Sequence, residues 1–136
     1  MKKSFFAALC LVPLISSCAS APDQKEIAAA DYGSPVSAND CEQVATSLIT
    51  KLMKDPESVK FDNFTCSKGW EGKVPIAGAP STYGYRFTGL VNAKNSFGGY
   101  TGSTPFKGIV RDDGNGARVV RYCIVDDEIC MPRMIN

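Results

Sequence analysis

Residues 39–56 read NDCEQVATSLITKLMKDP, and the spacing within them sets the fold class. Cys41, Val44, Ala45, Leu48, Ile49 and Leu52 recur at intervals that place one apolar stripe along a helix. Asn39 and Glu42 have capping-box spacing, with the Asn side chain accepting from the first turn and the Glu reaching back. Asp55-Pro56 stops the helix, because proline disfavours a helical residue before it. The pattern predicts an amphipathic helix over about 40–54 with Cys41 on its buried side.

Downstream the period changes from helical to alternating. Val59–Cys66 (VKFDNFTC) begins with alternation, and Tyr83–Asn92 (YGYRFTGLVN) puts Tyr83, Tyr85, Phe87 and Val91 on one face against Arg86 and Thr88 on the other. Phe106–Arg111 and Arg118–Val125 are rich in β-formers, and the DDGNG run at 112–116 between them is strong hairpin punctuation. One helix followed by four antiparallel strands reads as α+β, with the helix across one face of a small curved sheet.

Upstream, the first 17 residues read as an export signal. Lys2 and Lys3 make a positive end, Phe5–Ile15 is apolar, and Ser16-Ser17 lead into Cys18. A bilayer span takes about 20 apolar residues, so this run is too short to remain as an anchor. Ile15-Ser16-Ser17-Cys18 resembles the bacterial lipobox, in which the cysteine is acylated and becomes the new amino terminus. The resemblance implies a mature chain held to a lipid bilayer through acylated Cys18, since two or more acyl chains give stable attachment. With Ala19 rather than Asp next in line, it implies outer-membrane sorting in a Gram-negative host, with the domain facing the periplasm.

Removing residues 1–17 takes Lys2 and Lys3 with it, leaving 13 basic against 14 acidic residues, a net charge of −1. Such a chain has no general electrostatic case for nucleic acid. Residues 18–37, rich in Ala, Pro, Ser, Asp and Gly without apolar period, read as a flexible tether of roughly 25 Å reach. Residues 38–136 then make one globular domain.

The cysteine count simplifies in an exported chain. Cys10 leaves with the signal and Cys18 carries lipid, so Cys41, Cys66, Cys123 and Cys130 remain. An even number in an oxidising compartment favours two disulfides over a zinc site, which would have neither histidine nor a Cys-x-x-Cys pair here. Four cysteines allow three pairings. The element order favours Cys41–Cys66, joining helix to first strand, and Cys123–Cys130, flanking a turn through Ile124–Ile129.

Two stretches carry a family resemblance. LMKDPESVKF (52–61) is similar to a Leu-x-x-Asp-Pro-x-Ser-x-x-Phe signature, and NAKNSFGGYTG (92–102) to Asn-x-Lys-Asn-Ser-Phe-Gly-Gly-Tyr-x-Gly. Both occur in small, largely uncharacterised exported proteins of bacteria and their phages. The likeness spans about 42–111 and implies a shared fold, with no activity to carry over. Many relatives have Cys-Gly before the Val-Asn step, where this chain has Thr88-Gly89.

Chemistry is sparsely provided for. The chain has no histidine, which removes Ser-His, Cys-His and His-metal machinery. Asp112/Asp113 and Asp126/Asp127/Glu128 lie at predicted turns, where carboxylates are ordinary, and DDGNG lacks the further ligands of a calcium loop. No metal, cofactor or catalytic residue is expected. The richest segment is Asn92–Phe106, where Lys94, Asn95, Phe97 and Tyr100 stand among glycines. It reads either as aromatics folded over the sheet edge or as a platform for a peptide, glycan or envelope protein. The expected function is a non-catalytic binding or accessory module of the envelope. A phage- or plasmid-borne protective lipoprotein is the alternative, and an envelope enzyme such as a wall hydrolase the third reading.

Overall fold

The computed structural model describes residues 20–125 and 133–135. Among the described residues the architecture is α+β: two α-helices and a five-stranded antiparallel sheet in the order β1-β2-β3-β4-β5. The helices are α1 (Gln24–Ala29) and α2 (Ala38–Leu52), and the strands are β1 (Lys60–Glu71), β2 (Thr82–Asn92), β3 (Thr104–Arg111), β4 (Arg118–Ile124) and β5 (Arg133–Met134). Each strand pairs with the next in sequence, so the sheet is a simple meander.

α2 lies against β1 through β4. Its buried residues Cys41, Ala45 and Ile49 meet Phe87 and Val91 of β2, Phe106 and Val110 of β3, and Val119 and Tyr122 of β4. Phe64 stacks on Phe87 with ring centroids 6.3 Å apart, and Phe61 meets Phe106 edge-on at 5.7 Å. The Cys41–Cys66 disulfide ties the first turn of α2 to β1. Cys123 is also disulfide-bonded, while Cys130, its expected partner, lies outside the described residues.

Several expectations are corrected. The helix on the sheet is the second of two, and it starts at Ala38 because the Ser37 hydroxyl, not Asn39, accepts the first-turn amide of Asp40 at 3.0 Å. It ends at Leu52, since Asp55-Pro56 opens a separate 3-10 turn, Pro56–Ser58. The sheet has a fifth strand, β5, whose two residues are too few to show a period. β1 continues past Cys66 to Glu71 by pairing with Thr82–Arg86, although SKGWE has no alternation of its own.

Residues 20–37 are not a slack tether over their described length. Asp23 and Glu26 form a reciprocal capping box on α1. The Arg111 guanidinium holds both the carbonyl and the carboxylate of Asp31, and Tyr32 meets Tyr83 edge-on at 5.7 Å. Ser20 bridges to Lys73, donating its amide to the Lys73 carbonyl at 3.1 Å. These contacts join residues far apart in sequence, so composition alone reads the segment as coil.

The sheet face away from α2 is ordered by charge. Glu71, buried, accepts from Arg86 at 2.6 Å and Lys107 at 2.9 Å. Arg121, also buried, donates to the Pro80 carbonyl at 2.8 Å and so pins the β1–β2 connection. Burial alone would raise the Glu71 pKa, but the hydrogen bonds and charges of Lys107 and Arg86 outweigh it and hold the carboxyl below its ordinary value.

Candidate binding site

The segment 92–106 divides in two. Its last residues enter β3, where Phe106 is buried in the core. Its first part forms a small hairpin beyond β2, closed by an antiparallel bridge between Lys94 and Tyr100.

Asn95 organises the tip of this hairpin. Its amide donates to the Gly99 carbonyl at 2.8 Å, and its own carbonyl accepts from Gly98 at 3.0 Å. Its side-chain oxygen accepts from the amides of Phe97 at 2.9 Å and Gly99 at 3.1 Å. This is the local side-chain-to-backbone pairing at which Asn excels in turns. Gly98 sits at φ +81°, a left-handed conformation that favours glycine, and so lets the chain reverse there.

Ser58 fastens the hairpin to the body. Its hydroxyl donates to the Asp55 carbonyl at 2.9 Å and accepts the Lys94 amide at 2.8 Å. Its carbonyl accepts the Tyr100 hydroxyl at 3.1 Å. The Asp-Pro-x-Ser stretch and the Asn-x-Lys-Asn-Ser-Phe-Gly-Gly-Tyr stretch are therefore one structural unit. Sequence reading singled out both motifs but not Ser58 as their link; a lone serine three residues after Asp55 was the available signal.

Tyr100 is 43% exposed and lies beneath two ammonium groups, Lys60 Nζ 4.7 Å and Lys94 Nζ 5.7 Å from its ring centre. Phe97 is 96% exposed. The reading in which both rings fold over the sheet edge is thus corrected for Phe97, which touches no core, and met in part by Tyr100. Beside the hairpin runs a cleft of about 350 Å³, lined by Leu52, Val91 and Ile124 together with Lys54 and Lys94. Together Lys94, Asn95, Phe97 and Tyr100 make an ordered loop that offers an apolar tip, a half-exposed ring and nearby cations.

The other candidate groups have structural employment. Asp112 Oδ1 accepts from Gly114 at 2.8 Å and Gly116 at 3.1 Å, closing the β3–β4 turn. Asp113 pairs with Arg111 and Arg118. Asp126, Asp127, Glu128 and Cys18 lie outside the described residues. Among the described residues no group of three or more His, Cys, Asp or Glu could hold a metal, and no helix is long and apolar enough to cross a membrane.

No family model, no curated protein and no solved structure matches this chain.

Proposed function

We propose that this chain is a bacterial envelope lipoprotein, anchored through acylated Cys18 and acting as a non-catalytic binding or accessory module. Its docking element is the loop around Phe97. The observation that carries this reading is an aromatic ring left 96% exposed on a loop whose amides at Asn95, Phe97, Gly98 and Gly99 are all hydrogen-bonded within the tip. A phenylalanine in water adds nothing to a core, and covering it with a partner removes apolar surface worth roughly 1.5–3 kcal/mol. Because the loop is already ordered, a partner does not bear the entropy of ordering it. Lys94 and Tyr100 close the base of the same loop as a cation over an aromatic ring, and tyrosine is among the residues enriched at interface hot spots. The Cys41–Cys66 disulfide suits an oxidising compartment, as an outer-membrane lipoprotein facing the periplasm would occupy.

The test substitutes Ala singly for Lys94, Phe97 and Tyr100 in the anchored protein and follows melting together with crosslinking in intact cells. Phe97→Ala should melt like the parent and lose the crosslinked adduct. A variant that keeps both fold and adduct, or a parent that crosslinks to nothing, contradicts the reading. Cys18→Ala should move the protein out of the membrane fraction, and retention there with an unmodified Cys18 removes the anchor.

A further inference from the structure

The chain enters the fold at one end of the sheet, and the Phe97 loop leaves it at the other. At the entry end Ser20 bridges to Lys73, just beyond the Glu71 end of β1. The fit is close: a Cβ on Gly72 would stand 2.5 Å from the Ser20 carbonyl oxygen, so only glycine lets the entering chain lie there. Pro22, two residues on, is buried. At the opposite end Lys60 pairs with Asn92, and the hairpin of Lys94–Tyr100 projects beyond that pair. Twelve residues of β1 separate the two ends, roughly 36 Å at strand rise.

Cys18 stands two residues before Ser20, and two residues span at most about 7 Å. The flexible tether that would lift the domain clear of the headgroups is therefore reduced to a very short leash. The entry end offers interfacial side chains as well: Trp70 half-buried at the end of β1 and Lys73 exposed just beyond it. Tryptophan is enriched at the membrane–water interface, and lysine serves there as an anchor beside it. Asp23 and Glu26 of α1 act on Tyr83, the β2 neighbour of Trp70, so the leash and the tryptophan, rather than excess positive charge, set the contact.

We infer that the domain stands end-on at the bilayer, with the Trp70–Lys73 end against the lipid headgroups of the leaflet holding the anchor, and the Phe97 loop carried to the far end. This rests on the reading of Cys18 as the acylated residue. It also makes the loop's partner something met away from that leaflet, not the leaflet itself.

Trp70 is the sole tryptophan of the chain, so its fluorescence reports the entry end without labelling. The full acylated protein would be reconstituted into phosphatidylethanolamine–phosphatidylglycerol vesicles with and without a headgroup nitroxide lipid, a short-range quencher. Trp70 should lose emission with the nitroxide lipid, whereas the W70F/F97W double variant should keep its emission. Unquenched Trp70, or equal quenching of both proteins, overturns the orientation. If the double variant fails to fold, the native Trp70 signal decides alone. Intact mass separates the two levels: acylated Cys18 with unquenched Trp70 removes only the orientation, and unmodified Cys18 removes the anchor and the orientation with it.

Discussion

The α2 side of the sheet and the Phe97 hairpin are both ordered, but by different means. Under α2 the order comes from burial: Phe87, Phe106, Ile49 and Val110 are sealed from water and packed on one another. In the hairpin no large side chain is sealed, and the order comes from backbone hydrogen bonds across the tip, the Asn95 side chain and the hydroxyls of Ser58 and Tyr100. Burial fixes many residues at once and tolerates no loss of volume. Polar fastening fixes a few, leaves side chains outside, and so frees them for contact beyond the fold. An exposed aromatic means little on a slack loop and a good deal on a fastened one.

The sharpest way to break this comparison is at the core. Phe87→Ala should cost about 3–5 kcal/mol in denaturant unfolding, because it removes a fully buried ring from the centre of the sheet. Ser58→Ala should cost less, about 1–2 kcal/mol, since it leaves the Lys94 amide without its partner, while the Asp55 carbonyl keeps the backbone amide of residue 58. Its distinctive effect is on the hairpin: proteolysis there should speed up while the core spectrum stays native. A Ser58→Ala cost equal to that of Phe87→Ala would mean that the hairpin is part of the core after all.

Glu71 tests a third kind of order, by charge. Its folded pKa lies below the ordinary 4.5, so the stability it supplies is fully present above that value. That stability falls away as pH drops through the lowered folded value. Glu71→Gln should therefore destabilise the protein at neutral pH and flatten its acid unfolding curve relative to the parent. Parallel curves would show that the pairs with Arg86 and Lys107 contribute nothing. The smallest stability effect belongs to Phe97→Ala, within about 0.5 kcal/mol of the parent, as for surface substitutions generally.

How much of this was legible in the sequence follows the same division. Burial writes a period, so the apolar stripe from Cys41 to Ile49 and the alternation around Tyr85–Val91 led directly to α2, β2 and the Cys41–Cys66 link, while Leu52, read into the same stripe, is exposed. Polar fastening writes none. The capping of α2 by Ser37, the hold of Arg111 on Asp31 and the reach of Ser58 to the hairpin each depend on a partner that only the folded chain brings near. The candidate loop was visible by composition, as aromatics and a lysine among glycines. Its exposure was not, because Phe97 and Phe106 look alike in sequence and end in opposite surroundings.

The central claim, that the Phe97 loop is held in place without being buried, is tested most directly by amide hydrogen exchange at Phe97 and Gly99. Both amides should be protected in the parent, since each donates to Asn95 Oδ1. Asn95→Ala should release both while the β2 and β3 amides remain slow. Rapid exchange at Phe97 and Gly99 in the parent would contradict the account, for it would make the loop slack and its exposed ring incidental.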